Sequence, residues 1–316
     1  LNTITCVTGV SGSGKTTLVK RVLYPAIQKL LGEYGDQSGQ YDKIDGDYSK
    51  VDSVEFIDQN PIGRSSRSNP VTYIKAYDEI RTLFSKQQSA KINGFKPAHF
   101  SFNVPGGRCE VCEGEGQITV EMQFMADIHL QCDSCKGHKF KDDVLEVRFQ
   151  EKNIYDILTL TIDDAISFFA DAKSEEKICD KIVEKLLPLQ HVGLGYVQMG
   201  QASSTLSGGE AQRIKLASFL GKGKATPTLF IFDEPTTGLH FHDIKKLLKA
   251  LNALVDKGHS LIVIEHNQDV IKSADWVIDL GPEGGDKGGT IVFEGTPKDL
   301  IRHKTSLTGK YLKGKV

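Results

Sequence analysis

No run in the 316-residue sequence approaches the roughly 20 apolar residues that a bilayer-spanning helix needs. No basic-then-apolar leader opens it either, so a cytoplasmic protein with no membrane partner is expected. Net charge is also lacking: 39 basic residues stand against 41 acidic ones, and overall charge therefore implies no polyanionic partner. The distribution is less even. Glu33 to Asp58 holds eight acids and two bases, whereas Pro61 to Arg108 holds eight bases and two acids. The second segment is a candidate nucleic-acid face, with a merely solvated surface as the alternative. At this length the chain can bury a sizeable core and form two or more domains.

Ile4 to Thr8 reads as a short β-branched strand running into Gly9, Val10, Ser11, Gly12, Ser13, Gly14, Lys15 and Thr16. A helical pattern follows from Thr17 to about Leu31. Strand, GxxxxGK[ST], helix is the context that marks a phosphate-binding loop. Its glycines let backbone N–H groups curl round a phosphate, and the helix start at Thr17 adds a positive dipole end. Lys15 would reach the β- and γ-phosphates of ATP, and Thr16 would hold Mg²⁺.

Leu229 to Phe232 is an apolar run that reads as a buried strand, ending in Asp233 and Glu234. Side chains alternate along a strand, so the two carboxylates leave one edge in different directions. That suits Asp233 for Mg²⁺ and Glu234 for polarising a water. A second buried strand, Leu261 to Ile264, ends in Glu265 and His266, and His266 could bond a γ-phosphate. Val51 to Ile57 reads as a third strand, placing Gln59 just past its end, where it could reach the Mg²⁺ or the water. A purely structural role is the alternative for His266 and for Gln59.

Cys109, Cys112, Cys132 and Cys135 form two CxxC pairs separated by 19 residues. This spacing matches a tetrahedral zinc site with no open position; disulfides are the alternative, disfavoured in a reducing compartment. Alternation from Ile118 to Phe124 predicts one strand of a hairpin between the pairs. Pro61 to Pro70 cannot form a regular helix, and it carries Arg64 and Arg67 among small hydroxyl residues, suited to backbone-phosphate contact. Helices are expected over Tyr73–Phe84, Ile154–Leu158, Thr161–Phe169 and Glu175–Leu187, and a strand over Val144–Val147.

Ser207 with Glu210 three residues on is a capping box opening a helix. A cap needs at most one glycine after the serine. Two, Gly208 and Gly209, suggest that another molecule's phosphate approaches bare N–H groups there. These readings divide the chain into residues 1–60, an inserted segment 61–200 with a zinc module at 105–140, and 201–316. The expected fold class is an α/β P-loop cassette core with a mostly helical insertion.

The order of these motifs resembles the ATP-binding cassette superfamily. DQNPIGRSSRSNP (Asp58–Pro70), FSFN (Phe100–Asn103), LSGGEAQR (Leu206–Arg213), DEPTTGLH (Asp233–His240) and DLGPEGG (Asp279–Gly285) more closely resemble the UvrA family. Members of that family are the DNA-damage-sensing ATPase subunits of the bacterial excision nuclease. The resemblance covers only the second of the family's two cassettes. It leaves out the insertion that binds the UvrB helicase subunit, so the chain is expected to be either a C-terminal half of a longer protein or an unusual short homologue. The start directly before a strand favours the half.

The resemblance implies ATP hydrolysis, with no nuclease activity in this chain. Lys15, Thr16, Asp233, Glu234, Gln59 and His266 would serve nucleotide, Mg²⁺ and water. Ser207, Gly208 and Gly209 would contact the γ-phosphate of a facing cassette, supplied by the first UvrA cassette or a second copy. Arg64, Arg67 and the hairpin between Cys112 and Cys132 would face damaged double-stranded DNA, recognised through backbone contacts and deformability. Alternatives are a transporter-type cassette, which has no use for the four cysteines, and a nucleotide-gated scaffold with negligible turnover, against which Glu234 argues.

Overall fold

The β-branched run Ile4–Gly9 forms β1, inside a six-stranded sheet with β2 (Ser53–Ile57), β3 (Thr228–Asp233), β4 (Ser260–Ile264), β5 (Trp276–Gly281) and β6 (Thr290–Gly295). The structure is a computed structural model that describes residues 1–63, 67–122, 124–125, 127–172, 176–221 and 226–313. The strand order is β2-β3-β4-β1-β5-β6. β1 to β5 run parallel, and β6 pairs antiparallel with β5. A parallel sheet covered on both faces selects near-continuous apolar strands. β3 and β4 obey this: Phe230, Ile231, Phe232, Val263 and Ile264 are fully buried. All five parallel strands end at one edge, where open α/β sheets bind ligands.

After β1 the chain winds through Thr17–Leu23 in wide turns and then through a regular helix, Tyr24–Leu30. Pro25 sits at the junction, where its missing N–H would otherwise break the ladder. The helix Phe241–Asp256 buries Ile244, Leu247, Ala250, Leu251 and Leu254, one stripe at helical spacing.

The chain forms two compact units, Leu1–Gln59 with Lys222–Val316, and Asn60–Gly221. The sheet belongs to the first. The second is mainly helical around buried Phe84, Phe100, Phe102, Phe140 and Phe169, and carries a hairpin of Gln117–Val120 against Ile128–Gln131. Among the described residues no helix is long and apolar enough to cross a membrane.

Three expectations are corrected in the second unit. The helix placed over Tyr73–Phe84 is two, Pro70–Tyr73 and Ala76–Ser85, separated at Lys75 with φ +60. Asn69 caps the first, its side chain accepting from Thr72 N–H at 2.9 Å. Val144–Val147 is not a strand: Asp142–Leu145 is a helical turn that buries Val144 and, just beyond it, Val147. Residues three apart share a helical face, and a lone strand there has no neighbour to satisfy its backbone. Finally, the helix Gly208–Leu220 packs on Glu176–His191 and Pro70–Tyr73. It therefore falls in the second unit, and the division comes after Gly221, not at residues 200/201.

Candidate nucleotide site and metal centre

β1 ends at Gly9, with φ +138. A Cβ there would lie 2.1 Å from the Leu280 carbonyl oxygen of neighbouring β5, so only glycine lets the chain leave the sheet at this point. Ser13 N–H donates to the Val10 carbonyl at 3.2 Å and Leu18 N–H to Gly14 at 2.8 Å, closing the loop onto the helix. Lys15 Nζ curls back to donate to the carbonyls of Gly9 at 3.1 Å and Val10 at 2.9 Å. Burial lowers its pKa, and the charges of Glu234, Asp279 and Asp233 oppose that shift. The buried Ser13 hydroxyl makes no hydrogen bond. Ser11, Gly12, Thr16 and Thr17 are exposed along the same turn. An exposed glycine-rich turn with a buried lysine and a spare hydroxyl fits a phosphate chain.

Behind this loop the buried Asp279 carboxylate accepts from Thr8 Oγ1 at 2.6 Å, Ser306 Oγ at 2.6 Å and Thr308 Oγ1 at 2.7 Å. Its charge is thereby compensated where water cannot reach.

At the end of β3 Glu234 turns out of the strand with φ +47, while its N–H still bonds Ile264 O at 2.9 Å. That left-handed conformation is uncommon for a side chain of this size. Burial raises the pKa of Asp233, and repulsion from Glu234 adds to it. His266 Nε2 lies 3.7 Å from Glu234 Oε1, and Gln59 Nε2 donates to the Glu234 carbonyl at 3.4 Å. The strand ends thus bring Gln59, Glu234 and His266 together.

In the second unit Ser207 caps Gly208–Leu220: its hydroxyl accepts Glu210 N–H at 3.3 Å, and Glu210 Oε2 accepts Ser207 N–H at 2.7 Å. The expected capping box is formed, with Gly208 and Gly209 in the first turn. Tyr196 hydroxyl donates to Glu210 Oε1 at 2.6 Å. Burial of the phenol and this carboxylate push the Tyr196 pKa up to about 12.

The sulfurs of Cys109, Cys112, Cys132 and Cys135 all lie within 4.8 Å of one another. Cys109 and Cys132 Sγ are 3.9 Å apart, and Cys112 and Cys135 Sγ are 3.6 Å apart. A tetrahedron of Zn–S bonds places sulfurs about 3.8 Å apart, whereas a disulfide needs about 2.05 Å. The spacing fits the metal and not the covalent bond. Burial raises the Cys109 pKa, but N–H groups of Cys112 and Val111 outweigh it and bring the thiol to about 7.

Comparison with known proteins places this geometry. Over 313 residues, 99% of the chain, the sequence is 53% identical to UvrABC system protein A of Clostridium perfringens and 50% identical to that of Aquifex aeolicus. A crystal structure of UvrA2 from Deinococcus radiodurans matches the whole chain with a TM-score of 0.89 and 42% identity. The chain belongs to the UvrA family. It spans about a third of the length of these relatives, 32% and 33% of the two proteins and 37% of the crystallised chain. No family model matches the sequence.

In this UvrA-family chain the basic loop does not stand alone. Arg67 Nη2 lies 3.6 Å from Glu113 Oε2, and its Nε lies 3.6 Å from Glu115 Oε1, both beside the first cysteine pair. Arg108 Nη2 shares Glu113 at 3.3 Å. Arg64 lies outside the described residues. Both hairpin strands are exposed on both faces, and Phe124 near the turn is 96% exposed.

Sequence reasoning gave Glu265 no role. It is buried, and accepts Thr236 N–H on one oxygen and His266 and Asn267 N–H on the other. The available signal was a carboxylate ending an otherwise apolar strand, which must find donors. Asp279 appeared only within a family string; an acid inside the apolar run Trp276–Leu280 carries the same signal.

Proposed function

We propose that this chain is an ATP-hydrolysing cassette, corresponding to the C-terminal half of a UvrA-type sensor of DNA damage in nucleotide excision repair. The observation that carries the reading is the meeting of Gln59, Glu234 and His266 at the sheet edge that also bears the phosphate-binding loop. Lys15 exchanges the Gly9 and Val10 carbonyls for the β- and γ-phosphates. Thr16 and Asp233 would hold Mg²⁺, which neutralises phosphate charge when bound. Glu234 orients or deprotonates the attacking water, and His266 and Gln59 restrain it. Little covalent chemistry is required of the protein, so positioning and electrostatics supply the acceleration.

Ser207, Gly208 and Gly209 present helix N–H groups to the γ-phosphate of a facing cassette, either the other UvrA cassette or a second copy of this chain. The four cysteines hold a structural zinc that fixes the hairpin, and Arg64 and Arg67 contact the DNA backbone. A UvrB-like helicase subunit binds through the part of the relatives that this chain does not span, and the setting is cytoplasmic.

The test is ATP turnover per chain over a roughly hundredfold dilution. Without the facing helix the developing charge lacks its donors, so activity per chain rises with concentration or on adding the complementary half, and Lys15→Ala abolishes it. High, flat activity in proven monomer would overturn the composite site.

A further inference from the structure

β5 ends at Gly281, and the segment Pro282–Gly289 then returns along the phosphate-binding loop. Gly285 N–H donates to the Gly12 carbonyl at 3.1 Å, and Gly289 N–H to the Ser13 carbonyl at 3.0 Å. Two consecutive carbonyls of the P-loop are thus held on one side. In a trans peptide the carbonyl and the following N–H point in opposite directions. Holding the carbonyls of Gly12 and Ser13 therefore turns the N–H groups of Ser13 and Gly14 away from the clamp. Ser13 N–H accordingly bonds back across the loop to Val10.

The four glycines of this segment serve two different needs. Gly285 and Gly289 have φ +66 and +79, and a Cβ on either would meet nothing within 4 Å; the turn itself demands them. Gly284 and Gly288 have φ −91 and −90 with extended ψ, which any residue adopts. Close approach is what excludes a side chain there. A Cβ on Gly284 would lie 2.6 Å from the Ser11 carbonyl oxygen. A Cβ on Gly288 would lie 3.1 Å from Ser13 Cα and 2.8 Å from the Glu283 carbonyl oxygen. Backbone atoms have no rotamer by which to move aside, so the loop itself must shift.

We infer that Pro282–Gly289 is a second glycine-rich loop of the nucleotide site, and that Gly284 and Gly288 are positioning residues that set the curvature of the phosphate-binding loop. The inference rests on the ATP-binding reading above. Neither residue touches phosphate on this account; both act through Ser11, Gly12 and Ser13.

Calorimetric titration of the whole chain with Mg-ATP tests it. Gly284→Ala should weaken binding by about tenfold or more while the stoichiometry stays that of the unsubstituted chain. Gly288→Ala should lose less, because a shift of a few tenths of an ångström relieves its contact with Ser13. Lys287→Ala removes an exposed ammonium paired with Glu283 at 3.4 Å and should bind normally. Wild-type affinity in Gly284→Ala would overturn the inference. So would a reduced stoichiometry at unchanged affinity, which is the mark of a folding defect. If Gly284→Ala does not fold, Gly288→Ala must show weaker binding at full stoichiometry, or the inference fails. Absence of binding by the unsubstituted chain would overturn the ATP-binding reading itself, and this inference with it.

Discussion

The buried carboxylate of Glu265 accepts the backbone N–H of Thr236 at 2.8 Å, fastening the turn after Asp233 and Glu234 to the strand end that carries His266. Its second oxygen takes the N–H groups of His266 at 2.7 Å and Asn267 at 2.8 Å. One side chain therefore ties together the backbone segments that carry Glu234 and His266, the two groups proposed to flank the attacking water. Glu265→Gln keeps the shape but replaces one acceptor with a donor. At least one buried N–H then loses its partner, at about 1–3 kcal/mol. The urea midpoint should fall, and turnover should slow. An unchanged midpoint would show that these bonds add nothing to stability.

Metal analysis of protein purified without chelator should find one zinc per chain. Cys109→Ser should lose it and loosen the segment between the cysteine pairs, while ATP binding survives because the P-loop lies in the other compact unit. Zinc affinity should also fall as the pH is lowered, because each thiolate ligand must shed a proton that competes with the metal. A chain with much less than one zinc that keeps this module folded would contradict the metal assignment.

The Glu210 carboxylate gives a pH-dependent signature. Burial pulls its pKa up, but hydrogen bonds from Tyr196 and Ser207 outweigh burial and set it below the ordinary carboxylate value. A depressed folded pKa contributes stability that is present above the unfolded value and is lost as pH falls through the folded one. Glu210→Gln should therefore destabilise the chain at neutral pH, and the difference should shrink below a pH of about 4. Thermal melts of both proteins across pH 3–8 check this. A difference that does not vary with pH would assign the effect to packing.

How much of this the sequence disclosed differs by element. The P-loop and the four cysteines were legible because fixed local spacings carry their chemistry. The Ser207–Glu210 box was legible because a cap involves only four residues. Lys75 and the Val144–Val147 turn were not, since a break at positive φ on a lysine and the burial of two valines three residues apart are decided by tertiary packing. Glu265, Asp279, Gly284 and Gly288 were hidden for a related reason. Their partners lie far along the chain, and only the sheet order brings Asp279 beside Thr8, or Gly284 beside Ser11.

Arg67 sits between the Glu113 and Glu115 carboxylates, which tempers what it can offer DNA. Arg67→Ala should weaken all DNA sequences alike and shallow the salt dependence by less than about one charge. Replacing Glu113 and Glu115 together with glutamine should tighten DNA binding by releasing that guanidinium. Fluorescence anisotropy against salt concentration measures both. An Arg67→Ala salt slope equal to that of the unsubstituted chain would place this side chain off the DNA backbone.

The most direct test of the central claim compares ATP binding and turnover in the chain and in Glu234→Gln, under conditions where the composite site is assembled. The substitution keeps shape and hydrogen-bonding reach but removes the charge that activates water. ATP should bind with near-normal affinity and turn over at least ~10²-fold more slowly. Near-normal turnover in pure Glu234→Gln protein would contradict the account and move the water-activating role away from the carboxylate at the end of β3.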